Sequence, residues 1–389
     1  MMDLLTIISI LLYIGTFFIG FYLDRYPLDS KYRKARKYFI VWLYIFLCFG
    51  YMTGSDWRGY EYHYGIPSSL VRSSGEVGFY NMFYLVSLIF KDFWVGVGFL
   101  KCLYLYTYIR LLKQLTTNYL SVLSLSMPIF LCFMIINNPL RYMCALILIY
   151  VAISFLINKK YLLSVGIIMA SCLLHTTALF FLIMIPCYIY SRKIANTNSY
   201  ILVVLFILTL FISSKIGNIT NIVAFFMQYT GMLNMKDYSH YMLRNEDGGN
   251  FFSIGSFIQI LFFIFMVFTK DSLKQKVDNG EVITGMAISY MFLQRFTLMI
   301  PTGFRLVIPF GIFYCLYVVM LKKINKRVFL LFMTIITMQF TKTLYDSYVY
   351  IPYSNSIPYI ITGHEEYNVR SMYNIKAYSS RTGQEVSLE

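Results

Sequence analysis

The sequence predicts an all-α polytopic membrane protein, and three observations carry that reading. Hydrophobic residues make up 58% of the 389 positions, charged residues only 13%, and the mean hydropathy is +0.63, outside the range of water-soluble domains. Apolar runs of about 20 residues, each long enough to cross a bilayer, recur along nearly the whole chain. The Lys and Arg residues behind the net charge of +15 cluster in the short gaps between those runs, as the positive-inside rule requires of cytoplasmic loops.

Those basic gaps order the elements. Arg25 to Lys37, Arg110 to Lys113, Lys159-Lys160, Arg192-Lys193, Lys270 to Lys276 and Lys322 to Arg327 are cytoplasmic anchors. Threading the apolar runs between them gives about 12 transmembrane helices, near 3–23, 38–54, 93–112, 119–136, 141–157, 161–175, 177–190, 200–214, 251–268, 281–300, 304–320 and 328–345. Both termini then face outward. The first run has no basic stretch before it and no small-residue cleavage site after it, so it reads as a retained helix. Counting Val77 to Phe90 as a crossing would invert every later anchor. It is therefore laid on the outer surface as a juxtamembrane helix, inside a large first external loop, 55–92. A second external loop, 215–250, holds a moderately apolar stretch, Ile219 to Leu233, that reads as another surface helix. Residues 1–345 thus form one transmembrane helical domain and 346–389 an external, polar C-terminal tail.

Composition excludes several functions. The positive charge is orientation chemistry and forms no continuous basic face, so nucleic-acid binding is not expected. All seven cysteines lie in apolar runs, with no disulfide or zinc spacing. No Gly-rich phosphate loop, HExxH or nucleophile elbow is present. No internal repeat is visible, against a transporter built from duplicated halves.

In a bilayer a charged side chain needs a reason, because a central Arg or Asp costs about 2.5–3.5 kcal/mol on insertion scales. Away from the cytoplasmic anchors the costly residues are Asp56, Arg58, His63, Glu76, Arg141, His175, Arg295 and Arg305, all near the predicted outer face. Asp56 and Arg58 stand with Trp57, Tyr60, Tyr62 and Tyr64, a carboxylate, a guanidinium and four rings suited to a sugar; an interfacial aromatic belt is the competing reading. Glu76 opens the surface helix, where the macrodipole alone would also favour a carboxylate. Arg141 starts a helix on the outer side, where positive-inside logic does not explain it. His175 sits at an outer helix end, and Arg295 and Arg305 flank Pro301-Thr302-Gly303. Arginine suits bidentate capture of phosphate oxygens; snorkelling to the headgroups is its alternative.

Asp56 with Tyr60 and Tyr64, Glu76 opening Glu-Val-Gly-Phe-Tyr, Arg141, Lys159-Lys160, Leu-His175-Thr-Thr-Ala and Arg305 in Phe-Arg-Leu-Val-Ile-Pro-Phe follow in an order that resembles the EpsG-type relatives of the Wzy polysaccharide polymerases, over most of residues 40–320. Tyr142 stands where those relatives often carry Gln, and Arg295 has no counterpart. The resemblance implies a fold similar to class C glycosyltransferases. It also implies polymerisation of undecaprenyl-diphosphate-linked oligosaccharide, both donor and acceptor, at the outer side of a bacterial inner membrane, alongside a chain-length regulator and other polysaccharide assembly proteins.

Such chemistry needs a base for the acceptor hydroxyl and positive charge for the departing diphosphate. Asp56 or Glu76 is the candidate base, His175 hydrogen bonds nearby, and Arg58, Tyr60, Tyr64, Arg141, Arg295 and Arg305 are candidates for holding sugar and diphosphate. No Asp-x-Asp cluster is present, so neither metal nor cofactor is expected. One base fits inversion and two carboxylates fit retention, so the stereochemistry stays open. The rival readings are a flippase for lipid-linked sugars and another membrane transferase, a glycan ligase or an acyltransferase.

Overall fold

A computed structural model of the chain describes residues 4–26, 31–54, 56–71, 76–137, 139–215, 254–297, 303–347, 349–365 and 369–383. Among these the regular structure is helical, with one isolated antiparallel bridge, Gly50 to Asn355. The expected external loop 215–250, with its surface helix Ile219 to Leu233, lies almost wholly outside the described residues, as do Pro301 and Thr302.

The chain divides into two compact units, one of residues 1–179 with 333–389 and one of residues 180–332. In the first, α1 (Leu4–Leu23) and α2 (Arg33–Cys48) precede the short α3 (Trp57–His63) and α4 (Val77–Ile89). Then come α5 (Phe93–Leu115), α6 (Tyr119–Ile136), α7 (Leu140–Ile157) and α8 (Tyr161–Ser171). Helix α6 is apolar and buried nearly all round, which places it at the centre, with α1, α2 and α5 against it. Hydroxyls cross-link these apolar helices: Tyr104 and Tyr150 share a 2.8 Å bond, and Tyr108 bonds Ser126. Interhelical hydrogen bonds of this kind hold helices together where lipid offers no hydrophobic drive.

A turn at His175 leads into α9 (Thr176–Ile189). In the second unit α10 (Ser191–Asn196), α11 (Ser199–Lys215) and α12 (Ile254–Lys276) pack on α13 (Gly280–Thr297), and α14 (Gly303–Leu321) is buried from Ile308 to Leu321. Helix α15 (Lys326–Tyr345) follows.

Among the described residues seven helices, α1, α5, α6, α7, α12, α14 and α15, are long and apolar enough to cross a membrane. The other five expected crossings are shorter or more polar. Helix α2 begins earlier than expected, in its basic stretch, and stops at Cys48; Met52 and Gly54, with positive φ values of 47° and 84°, keep a helix from continuing to residue 54. The expected 161–175 crossing is an 11-residue helix ended by the turn that carries His175, and α13 opens with Glu281 and closes with Arg295. The basic residues Lys270, Lys274 and Lys276 lie on the last turns of α12, not in a loop. Residues 77–89 form a 13-residue apolar helix.

The segment after Tyr345 is folded onto the first unit. Ser356 N donates to Phe49 O at 2.7 Å, Tyr51 N to Ser354 O at 3.0 Å and Tyr353 OH to Phe46 O at 2.6 Å. Two further helices complete it, α16 (Ser356–Thr362) and α17 (Val369–Thr382).

Candidate functional site

Glu76 is the hub of the first unit's polar cluster. It precedes α4, is only 5% exposed, and a buried carboxylate must find partners. Its Oε2 accepts from Arg141 Nη1 at 2.8 Å. Its Oε1 accepts from His175 Nδ1 and from the Thr176 backbone amide, the latter at 3.4 Å. Arg141 Nε also donates to the Tyr60 hydroxyl at 3.4 Å. The Tyr142 ring stands edge-on to His175, with centroids 5.5 Å apart and planes at 75°.

Local backbone explains why these groups meet. Arg141 is the second residue of α7, just after Pro139, a residue that suits the start of a helix but not its interior. His175 sits in the turn between α8 and α9, its amide bonded to Ser171 O at 3.1 Å. Glycine lets the two flanking segments close on it. A Cβ on Gly78 would stand 2.5 Å from the Leu173 carbonyl oxygen, so α4 can lie against the His175 turn only without a side chain there. A Cβ on Gly54 would run into the Asn137 carbonyl, and its φ of 84° also favours glycine. That contact pins the loop entering α3 beside the start of α7.

Burial by itself would raise the Glu76 carboxyl. The hydrogen bond and charge of His175, then Arg141 and the Thr176 amide, outweigh burial and hold it below its ordinary value. Burial pushes the Tyr60 phenol up to about 12, against the pull of Arg141, with the Asp56 charge adding to the rise. Glu76 is therefore an ionised anchor, Tyr60 a neutral hydroxyl, and the Arg141 side chain, 35% exposed, keeps an edge beyond Nε and Nη1 open to an anion.

The remaining candidates are placed differently. Asp56 stands at the residue before α3, without a side-chain cap bond to the helix, and acts on Tyr60 through its charge. Arg58 lies over the Trp57 ring at 5.8 Å. Tyr64 OH donates to Phe90 O at 2.7 Å and abuts Gly96, which makes it a strut between α3 and α5. His63 bonds its own helix at Gly59 O, 2.6 Å away. Arg295 and Arg305 belong to the second unit. Arg295 is 5% exposed and committed to protein partners, Ser213 at 3.1 Å, Ser256 at 3.0 Å and Gln259 at 3.4 Å, which leaves little of its fork for a diphosphate. Arg305 lies in the 3-10 turn Gly303–Val307. Gly54, Gly78, Tyr142 and the Thr176 amide were not among the residues the sequence singled out for the site. The Gly in Glu-Val-Gly and Gly54, two residues before Asp56, are the available signals, but a close approach between segments far apart in sequence has no local signature.

Neither the curated proteins nor the solved structures gave a match. A family model, that of the EpsG family, matches residues 35–360, a span that contains Glu76, Arg141, His175 and the turns that position them. The match extends over most of the 389 residues, and the chain belongs to the EpsG family.

Proposed function

We propose that the chain is a polysaccharide polymerase that transfers a growing glycan from undecaprenyl diphosphate onto a lipid-linked repeat unit at the outer side of the inner membrane. The observation that carries this reading is the Glu76, Arg141 and His175 cluster in a chain of the EpsG family. Glu76 fixes Nδ1 of His175 as the protonated nitrogen, which makes Nε2 the proton acceptor. The base is then His175, with Glu76 behind it, a reassignment from the carboxylates that sequence alone favours.

In the transfer, the acceptor hydroxyl oxygen attacks the anomeric carbon of the donor glycan and its proton passes to His175 Nε2. The bond from that carbon to the diphosphate oxygen breaks, and its electron pair stays on the diphosphate. Arg141, charged at all working pH values, stabilises that leaving group with the edge not held by Glu76 and Tyr60. Asp56, beside Tyr60, orients acceptor hydroxyls. Metal independence is part of the proposal: among the described residues no three His, Cys, Asp or Glu side chains gather as metal ligands, and arginine supplies the positive charge. Turnover that chelator abolishes and Mg²⁺ restores would contradict that part.

The test is incubation of the purified protein with a lipid-linked repeat unit from its own source, with products resolved by length. A ladder that Arg141→Ala and His175→Ala abolish supports the polymerase. No lengthening, together with transfer of the intact lipid across vesicles, would replace it with a flippase.

A further inference from the structure

Lys101 stands inside α5, about 12 Å along the helix from Phe93 at ~1.5 Å per residue. It is fully buried, and its Nζ makes no hydrogen bond. An ammonium in such a place is costly and ordinarily pairs with an acid. The titratable groups that bear on Lys101 are instead two thiols, Cys48 and Cys102.

The thiols belong to neighbouring helices in tight contact. Gly98 and Cys102 lie one turn apart on α5, on the face that meets the end of α2. A Cβ on Gly98 would stand 2.7 Å from the Phe49 ring, so the end of α2 approaches α5 as closely as a glycine permits. Cys48, one residue before Phe49, is buried, and Cys102, one turn after Gly98, is half-buried, so this close approach of α2 to α5 brings the two thiols together. For Cys132, Cys144, Cys172 and Cys187 the described contacts include no thiol.

We propose that Cys48 and Cys102 are a dithiol that oxidises reversibly to a disulfide, with Lys101 as the acceptor of the thiol proton. The oxidant is a two-electron acceptor that dissolves in the bilayer, a quinone. Lys101 Nζ takes the proton of Cys102, and the thiolate adds to the quinone. The Cys48 sulfur then attacks the Cys102 sulfur, and the bond to the ring breaks. Two S–H bonds are lost, one S–S bond forms, and two electrons and two protons end on the hydroquinone, the second proton passing from Cys48 and the first from the Lys101 ammonium. The bridge ties the end of α2 to α5 just before the Gly50 to Gly54 stretch that leads to Asp56, and so fixes the root of the candidate site's first loop. The proposal is independent of the transfer reaction.

The experiment uses the full-length protein in lipid vesicles and diamide, a membrane-permeant diazene that takes up the same two electrons and two protons to become a hydrazine. Peptide mapping after alkylation should recover the Cys48 and Cys102 peptides linked with loss of two hydrogens, and dithiothreitol should separate them. Recovery of both as single alkylated thiols, or of Cys102 bridged to another cysteine, would overturn the proposal, and this measurement on the unaltered chain needs no variant to fold. Lys101→Met should slow bridge formation about tenfold at neutral pH, because rate follows thiolate fraction, and should recover above the ordinary thiol value of about 8.5. An unchanged rate at neutral pH would remove Lys101 from the chemistry.

Discussion

A carboxylate that answers Arg141, His175 and the Thr176 amide together is an organiser of donors, and single substitutions should report that. Glu76→Gln keeps the shape and removes the charge. It should cut the rate of glycan lengthening by about 100-fold or more, as expected when a group that holds a base in its working tautomer is lost, with the larger effect on kcat; turnover like the unaltered chain would contradict it. The same residue sets a pH dependence. Because its folded-state carboxyl lies below the ordinary value, the stability it contributes is complete above about pH 4.5 and is lost as pH falls through the lower folded value. Thermal unfolding followed from roughly pH 6 to pH 3 should therefore fall more steeply for the unaltered chain than for Glu76→Gln, and coincident curves would deny the charge its part. At this scale the sequence made Glu76, Arg141 and His175 visible, since each is a costly group with no topological excuse. It hid the division of labour, because which of two partners is base and which is anchor depends on hydrogen-bond geometry between residues far apart in sequence.

Among the elements, α4 and the His175 turn decide whether the cluster exists. Gly78→Ala places a methyl group where the Leu173 carbonyl lies. It should leave helix content unchanged while costing about 1–3 kcal/mol of stability, the usual range for overpacking, and most of the activity. Circular dichroism, thermal unfolding and the lengthening assay separate these effects, and full activity in Gly78→Ala would show that α4 can shift without harm. Helix positions were legible where apolar runs are long, as in α1, α5, α6, α7 and α15. Helix ends were less so. Helix α2 stops at Cys48, inside the apolar run expected to reach 54, and the helix expected to reach 175 ends at Ser171, because the apolar Cys172 to Leu174 that follow are turn and carry no local stop signal. The segment after Tyr345 reads as a polar tail, yet it pairs with the chain just after α2 through the backbone groups of Phe49, Tyr51, Ser354 and Ser356, which any sequence carries.

For the whole molecule the outstanding assignment is orientation, which rests on the placement of Lys and Arg. Tyr62 is 76% exposed in α3, on the proposed outer loop, and Lys160 is exposed at the turn before α8, on the proposed inner side. Tyr62→Cys should react with a membrane-impermeant maleimide in intact cells and Lys160→Cys only after permeabilisation; the reverse pattern would invert the topology and place the cluster inside. The two compact units also bear on function. Arg295 is buried among Ser213, Ser256 and Gln259 within the second unit, so Arg295→Lys, which loses the planar fork, should lower the unfolding temperature while turnover per folded molecule stays unchanged.

The central claim is that Glu76 and His175 act as one unit, and a double-mutant cycle on glycan lengthening tests it most directly. Groups that work as a unit are strongly non-additive. Glu76→Gln combined with His175→Ala should therefore cost no more than the worse single substitution. Losses that multiply, or full turnover in either single variant, would contradict the account.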